Sequence, residues 1–192
     1  MIGLLGGAFD PPHNGHVAVA ATAKRQFGFG EFAVLVSARP EHKDVVLDAA
    51  TRLELTRAAF PDDDVELDEH ARTVDTLRAG RWHDPLFLVG ADEFCDFLSW
   101  KNPEGVLELA RLGVATRPGY PREHLDAVLE RLPRPERVLF FELEPLAVAS
   151  RDVRDRVARG ERIDDLVPAR VAELIREHGL YRRYTAAARE RT

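Results

Sequence analysis

The chain alternates short apolar runs with longer amphipathic stretches. The apolar runs are IGLLGG, FAVLVS, the shorter DVELD, PLFLVGAD, LGVAT and RVLFFEL, in that order. Most of these runs are apolar at successive positions, which is typical of strands buried on both faces of a sheet. The pattern therefore predicts an α/β fold, with a doubly wound, mostly parallel sheet covered by helices on both faces.

Helical periodicity fills the intervals between the predicted strands. Helices are predicted over 15–27, from a cap at Asp48 to about residue 60, and over 73–79, 93–98, 103–110 and 121–132. The apolar positions of the last of these are Leu125, Val128, Leu129 and Leu132. A C-terminal helix is predicted from Val171, Leu174 and Ile175, with Pro168 near its start and Gly179 past its end.

No internal repeat or low-complexity linker interrupts the chain. We therefore predict a single domain over residues 1–184, whose C-terminal helical segment spans about 150–184. The Arg- and Ala-rich residues 185–192 are predicted to form a disordered tail.

Composition narrows the class of protein. The 192 residues are 45% apolar, which is enough for one core, and no apolar run approaches the ~20 residues that span a bilayer. The formal net charge of −6, with no basic stripe, argues against nucleic acid as a partner. A single cysteine, Cys95, excludes an internal disulfide, and no signal-peptide pattern is visible. We expect a cytoplasmic protein with no membrane partner.

The loop after the first predicted strand is the main candidate site. It has the sequence GGAFDPPHNGH, from Gly6 to His16. In parallel sheets, ligands bind beyond the C-terminal ends of the strands, and exposed backbone amides at a helix N-terminus favour an anion. The loop matches neither G-x-G-x-x-G nor G-x-x-x-x-G-K-[ST], the two common phosphate-binding patterns.

Two histidines distinguish this loop. His13 and His16 are three residues apart near the first turn of a helix, so both rings can face one anion. Donors held in place stabilise a phosphoryl-type transition state. A zinc site normally takes three protein ligands and no third one is near, so we expect no metal site. The spacing alone leaves a structural loop and a phosphate-binding loop equally open.

The loop resembles a known signature, G-G-[TS]-F-[DN]-P-x-H-x-G-H, of the nucleotidyltransferase superfamily with an H-x-G-H core. Three further segments are similar to bacterial nicotinate mononucleotide adenylyltransferases: RTVDTL, the long stretch FLVGADEFCDFLSWKNPEGVLELARLGVATRPGY, and DLVPARVAELIREHGLYR. They occur in matching order over nearly the whole chain. The resemblance implies a Rossmann-like nucleotidyltransferase fold.

The resemblance also implies a reaction. ATP and nicotinate mononucleotide would give deamido-NAD and pyrophosphate, with Mg²⁺ carried by the ATP phosphates. His13 and His16 would be catalytic, with His16 stabilising the α-phosphate. The residues implied to bind ATP and its phosphates are Gly6, Gly7, Ala8, Phe9, Lys43, Asp92, Ser150, Arg151 and Arg154. Those implied to bind the mononucleotide are Arg72, Thr73, Trp100 and Arg117. A homo-oligomer is compatible with the sequence.

Several of these residues have ordinary alternatives. Asp92 would cap the helix that follows the fourth strand, and Ser150 would cap a later one. Trp100 would belong to the core. Lys43 and Arg117 would be solvent-facing loop cations.

The chain departs from the family pattern at the second phosphate motif, I-S-[SA]-T-x-I-R. VASRDVR stands in its place, with Ala149 at the first serine and Arg151 at the threonine. Ala8 occupies a usual Thr or Ser position, and Arg72 a usual Tyr position. These changes bear on catalytic rate and on the choice of mononucleotide. A guanidinium at Arg72 favours the carboxylate of nicotinate over the amide of nicotinamide.

Two other functions compete with this interpretation. One is a nucleotidyltransferase of the same superfamily that acts on nicotinamide mononucleotide or another phosphorylated acceptor. The other is a weakly active nucleotide-binding paralogue, which the altered VASRDVR segment favours.

Overall fold

The computed structural model describes residues 1–40, 45–144 and 146–184. Its strands are β1 (Ile2–Gly7), β2 (Glu31–Ser37), β3 (Asp64–Asp68), β4 (Leu86–Gly90), β5 (Arg111–Thr116) and β6 (Val138–Glu142). Its α-helices are α1 (Asn14–Phe27), α2 (Ala49–Ala59), α3 (Thr73–Ala79), α4 (Ala91–Cys95), α5 (Pro103–Leu109), α6 (Arg122–Leu129), α7 (Ser150–Ala158) and α8 (Ala169–Glu177). All six predicted strands and all predicted helices are present.

The helix bounds differ from the prediction by more than about one residue in two regions. The stretch predicted as one helix over 93–98 is a short α4 followed by a 3₁₀ turn, Phe97–Ser99. The helix predicted to reach residue 132 ends at Leu129. The start of α2 is as predicted, because the Asp48 carboxylate accepts a hydrogen bond from the Thr51 amide at 2.8 Å.

The strands form one sheet in the order β3-β2-β1-β4-β5-β6, and every neighbouring pair is parallel. The predicted doubly wound, mostly parallel sheet is therefore confirmed. The chain winds outward from β1 to β3 and then returns beside β1 with β4. The crevice for a ligand in such a sheet opens at this reversal, above the C-terminal ends of β1 and β4.

Both faces of the sheet are buried. Neighbouring residues of one strand point to opposite sides of the sheet, so each strand contributes side chains to two apolar layers. Leu5 and Val34 pack on one side, together with α1, α2 and α8, whereas Leu4 and Leu35 pack on the other side with α3 to α6. These two apolar layers fix the strand ends from which the loops of the crevice emerge.

The C-terminal part of the described chain returns to the first face of the sheet. Val171, Leu174 and Ile175 of α8 are buried, as predicted, and α8 packs on α2. Gly179 adopts a left-handed conformation (φ 61°) just past the helix. No helix among the described residues is long and apolar enough to cross a membrane. The predicted tail over 185–192 lies outside the described residues.

Candidate active site

The crevice at the strand reversal is divided into two clefts by the end of β1 and the loop that follows it. The first cleft has a volume of about 640 Å³ and the second about 500 Å³. Gly6, Gly7 and Ala8 line both clefts, as does Glu93. The glycine-rich loop therefore lies where molecules bound in the two clefts would meet.

The predicted site residues divide between the clefts. The first cleft is lined by His13, His16, Phe9, Asp92, Arg117, Ser150, Arg151 and Arg154, besides the shared residues of the loop. The second is lined by Arg72, Thr73 and Trp100. Arg117, predicted to act with the mononucleotide group, thus lies with the histidines and apart from the other three. Lys43 lies outside the described residues.

The two histidine rings stack on each other at the first turn of α1. Their centroids are 3.7 Å apart with an interplanar angle of 29°. The backbone N–H of His13 donates to Nδ1 of His16 at 3.2 Å. In the neutral form of His16 the ring proton is therefore on Nε2, which makes Nε2 a hydrogen-bond donor.

His13 is neutral at physiological pH. Its residue is 8% exposed, and burial lowers its pKa from 6.5 to about 4, although the nearby Asp152 carboxylate partly opposes this shift. Within the described part of the chain, its Nδ1 atom is buried without a hydrogen-bond partner. A neutral imidazole still supplies one N–H donor, so neutrality does not prevent it from contacting phosphate oxygens.

The glycines of the loop are required by close packing. A Cβ atom at Gly6 would lie 2.9 Å from the Phe87 ring, and one at Gly15 would lie 2.9 Å from the His13 ring. Phe9 adopts a left-handed conformation (φ 49°) that non-glycine residues rarely populate. The surrounding structure therefore holds this backbone close to the cleft in a particular conformation.

Asp10 anchors the loop to the protein interior through buried polar contacts. This residue is 3% exposed, and its carboxylate accepts hydrogen bonds from the Tyr181 hydroxyl at 2.7 Å and the Val46 amide at 2.5 Å. The guanidinium of Arg154 donates to the Asp10 carbonyl at 2.5 Å. These contacts connect the loop to α7 and to the segment after α8.

The start of α7 shows how the altered VASRDVR segment folds. The N-cap residue is Ala149, whose amide donates to the Asp152 carboxylate at 2.9 Å. The interpretation of Ser150 as the N-cap is therefore wrong, because its hydroxyl donates instead to the Pro11 carbonyl at 2.8 Å. Arg151 is exposed, with its Nε 3.7 Å from the Asp155 carboxylate.

Arg154 is much more enclosed than Arg151. It is 4% exposed, and its guanidinium lies 4.9 Å over the Tyr184 ring. Its Nε has no hydrogen-bond partner among the described residues. The same residue is among those that line the first cleft.

Asp92 lies in the first turn of α4, where the N-cap residue is Gly90. The interpretation of Asp92 as a helix cap is therefore wrong. Its carboxylate accepts a hydrogen bond from the Tyr120 hydroxyl at 3.1 Å. That hydroxyl also lies 3.4 Å from the Cys95 Sγ, and these two contacts together with burial raise the pKa of Tyr120.

The second cleft combines an aromatic wall with polar groups. Trp100 is half-buried, and its ring meets that of Phe97 edge to face at 5.2 Å. It therefore contributes to the core and also faces the cleft. Arg72 is the N-cap residue of α3 and Thr73 is its first residue, and both line this cleft, so the start of α3 lies at the cleft.

Comparison with known proteins decides the family. The cytidylyltransferase-like family model matches residues 4–156. A probable nicotinate-nucleotide adenylyltransferase of Thermus thermophilus is 38% identical, covering 94% of this chain and 99% of its own. One from Exiguobacterium sibiricum is 37% identical over 94% and 98% of the two chains. The chain belongs to the nicotinate-nucleotide adenylyltransferase family.

Solved structures agree on the fold of this nucleotidyltransferase. The Plasmodium falciparum nicotinic acid mononucleotide adenylyltransferase complexed with APC has a TM-score of 0.72 at 17% identity. The alignment covers 94% of this chain and 96% of the other. The complex of the same Plasmodium enzyme with NaAD has a TM-score of 0.71. The predicted Rossmann-like nucleotidyltransferase fold and the resemblance on which it rested are both confirmed.

The sequence did not assign a role to two buried groups of this nucleotidyltransferase. Asp10 is inside the recognised loop motif, but nothing local shows that it meets Tyr181, which is 171 residues away. Arg52 is 1% exposed and was missed altogether. A signal for Arg52 existed, because it lies on the same helical stripe as the buried Leu55, Thr56 and Ala59.

Proposed function

We propose that this protein transfers the adenylyl group of ATP to nicotinate mononucleotide and releases pyrophosphate, with deamido-NAD as the other product. One observation carries the proposal: two clefts meet at the glycine-rich loop, with the stacked histidines in one and Arg72 and Trp100 in the other. ATP occupies the first cleft and the mononucleotide the second, so the reacting phosphates meet at Gly6–Ala8.

The reaction is a direct displacement. A phosphate oxygen of the mononucleotide forms a bond to the α-phosphorus of ATP, and the bond from this phosphorus to the bridging oxygen of the β-phosphate breaks. The enzyme therefore needs no nucleophile of its own, and its task is positioning and charge stabilisation. His16 donates from Nε2 to the non-bridging oxygens of the α-phosphate, and the loop amides from Gly6 to Phe9 contribute further donors.

The remaining cations and polar groups serve binding. Ser150 and Arg151 lie at the start of α7, where the N-terminal amides favour the phosphates of ATP, and Arg154 lies one turn further along the same helix. Asp92 accepts hydrogen bonds from a ribose, in exchange for the one from Tyr120. Arg117, in the same cleft, contacts ATP rather than the mononucleotide.

In the second cleft Trp100 stacks on the pyridine ring. Arg72 and the amide of Thr73 face the nicotinate carboxylate, which the neutral amide of nicotinamide would not satisfy equally well. The enzyme therefore prefers the nicotinate form of the mononucleotide.

Mg²⁺ fits this site as a companion of ATP. The described residues contain no cluster of three or more His, Cys, Asp or Glu side chains that would hold a metal ion. The site therefore suits an ion that is coordinated mainly by phosphate oxygens and water. Such an ion would lower the charge of the triphosphate. Asp92 and Glu93, two carboxylates that line the first cleft, would hold the water ligands of the ion.

We propose that residues 1–184 form one domain, which acts in the cytoplasm on two small anionic substrates. It requires no nucleic acid, no membrane and no second copy of the chain. The single cysteine suits a reducing compartment.

Pyrophosphate release tests the reaction. The protein is mixed with ATP or CTP and with nicotinate or nicotinamide mononucleotide, in all four combinations. We expect the highest kcat/KM with ATP and nicotinate mononucleotide. An equal or higher value with nicotinamide mononucleotide would contradict the acceptor assignment.

Arg72→Gln tests whether Arg72 binds the nicotinate carboxylate, because this change keeps a polar side chain but removes the charge. The ratio of kcat/KM for the nicotinate over the nicotinamide form should fall about tenfold. Arg78→Gln, on the exposed side of the same helix, is the control and should leave the ratio unchanged.

A weakly active nucleotide-binding paralogue is the second candidate. The enclosure of Arg154 by Asp10 and Tyr184 favours it, because a cation already committed to the protein contributes less to ATP. Tight ATP binding without pyrophosphate release for any acceptor is the result expected from such a protein.

A further inference from the structure

Arg52 makes an unusual set of contacts for a charged residue. It is 1% exposed, and its guanidinium donates to four main-chain carbonyls: those of Leu47 at 3.1 Å, Ala8 at 2.7 Å, Ser37 at 2.8 Å and Ala38 at 3.3 Å. Burial lowers the pKa of this guanidinium below its usual value, while the carboxylate of Asp10 opposes the shift. Burying a cation is costly, so a group buried in this way needs a compensating set of acceptors.

The carbonyl of Ala8 is the contact that reaches the candidate active site. Ala8 lines both clefts, yet its carbonyl oxygen turns inward to a guanidinium that is closed to solvent. In a trans peptide the C=O and the next N–H point in opposite directions. The N–H of Phe9 therefore points away from Arg52.

The backbone conformation of Phe9 also indicates that this part of the loop is held in place. Phe9 has a φ of 49°, a left-handed conformation that is disfavoured for a residue with a side chain. Such a conformation persists only where the surroundings hold it. The hydrogen bond from Arg52 to the preceding carbonyl, together with burial of the Phe9 ring at 1% exposure, provides that restraint.

We propose that Arg52 is a positioning residue for the adenylyl transfer. By holding the Ala8 carbonyl in the interior, it presents the Phe9 amide to the triphosphate in the first cleft. A carbonyl turned the other way would place an oxygen with partial negative charge against the phosphates and remove a donor. This inference rests on the proposed function, because it needs a nucleotide in the first cleft.

The test compares Arg52→Lys with Arg57→Lys. Both changes keep the charge on α2, but Arg57 is exposed, whereas an ammonium at position 52 lacks the planar fork that serves four carbonyls. For Arg52→Lys we expect kcat to fall at least tenfold, with the KM for nicotinate mononucleotide within threefold of its original value. Arg57→Lys should match the unchanged protein in both constants.

A second measurement separates positioning from a general loss of structure. In the unchanged protein, adding Mg-ATP should move the amide proton resonance of Phe9 downfield, as a new hydrogen bond requires, and Arg52→Lys should reduce this shift. A folded Arg52→Lys protein with normal kcat and a normal Phe9 shift, but a lower Tm, would overturn the proposal. If Arg52→Lys does not fold, absence of the Phe9 shift in the unchanged protein overturns it.

The two proposals can fail separately. If the unchanged protein releases no pyrophosphate with any acceptor, the reaction is wrong. The role of Arg52 still stands in that case if Mg-ATP shifts the Phe9 amide and Arg52→Lys abolishes the shift. If Mg-ATP does not bind at all, both proposals are wrong.

Discussion

At the scale of single residues, the site depends on where protons and charges are fixed. The backbone amide of His13 occupies Nδ1 of His16 and thereby fixes its proton on Nε2. The ring of His13 is desolvated and neutral. The two imidazoles are therefore different in kind, although they are only three residues apart and stack on each other.

His16→Ala tests the donor on the α-phosphate. If this donor acts mainly in the transition state, kcat should fall about 10²-fold or more, by analogy with the loss of an oxyanion donor. The Kd for ATP should change much less. Steady-state kinetics and calorimetry measure the two quantities, and His124→Ala, at an exposed position of α6, is the control. A variant that loses ATP affinity but turns over normally at saturation would contradict this role.

His13 makes the stability of the protein depend on pH. Its pKa is about 4 in the folded protein and 6.5 in the unfolded chain, so the unfolded chain binds more protons between these pH values. The free energy of unfolding therefore contains a contribution from neutral His13. This contribution is complete above pH 6.5 and is lost as the pH falls towards 4. This loss amounts to about 3 kcal/mol, from 1.36 kcal/mol per pKa unit.

Urea unfolding at pH 7 and pH 4.5 measures this effect. His13→Asn removes the titrating group and keeps a good N-cap residue, so the variant should lose less stability on acidification than the unchanged protein. Equal losses would show that His13 does not titrate differently in the folded and unfolded states.

At the scale of elements, the starts of several helices line the site. The N-termini of α1, α3, α4 and α7 all open on the two clefts, because each follows or faces the C-terminal end of a parallel strand. At α7 the hydroxyl of Ser150 is committed to Pro11, and Arg151 is the exposed group. The chain thus has an exposed cation at the position where its family pattern has a hydroxyl.

Arg151→Thr restores the residue of the family pattern and tests that cation. We expect the Kd for ATP to rise about three- to tenfold, because an exposed charge-assisted contact to phosphate is lost. The increase should shrink as salt is added, since exposed charges are screened. Arg159→Thr, at the other end of α7 and equally exposed, is the control. Increased turnover in Arg151→Thr would show that the natural residue hinders the reaction.

At the scale of the whole molecule, the strand order creates the division of the site. Because β4 returns beside β1, the loop after β1 lies between segments that come from both halves of the chain. The first cleft takes its walls from α1, α4 and α7, and the second takes them from α3 and the segment after α4. Ligands bound in the two clefts would therefore both contact the backbone of the loop that follows β1.

Amide hydrogen exchange tests this division. Mg-ATP alone should slow exchange at the starts of α1 and α7, whereas nicotinate mononucleotide alone should slow it over residues 70–76 and 99–101. Deamido-NAD should protect both sets. Protection of the second set by ATP alone would reverse the assignment of the clefts, and the exposed outer face of α5 serves as an internal reference.

Much of this organisation could be predicted from local patterns. The six strands, the cap at Asp48 and the burial of Val171 and Ile175 follow from periodicities that extend over a few residues. The loop from Gly6 to His16 could be recognised because its glycines and histidines are adjacent in the chain. The roles of Ser150 and Asp92 as caps were wrong, since a helix start one or two residues earlier alters which side chain can reach the free amides.

The sequence by itself determined the order of the elements and the chemistry of the first loop, because burial period and turn residues act on near neighbours. Only the tertiary structure decided that Tyr181 and Arg154 meet Asp10, that Arg52 holds Ala8, and that Arg117 lies with the histidines. These contacts join residues separated by 44 to 171 positions, or assign a loop to one of two clefts. The physical reason is that they depend on strand order and on packing between layers, which no local pattern encodes.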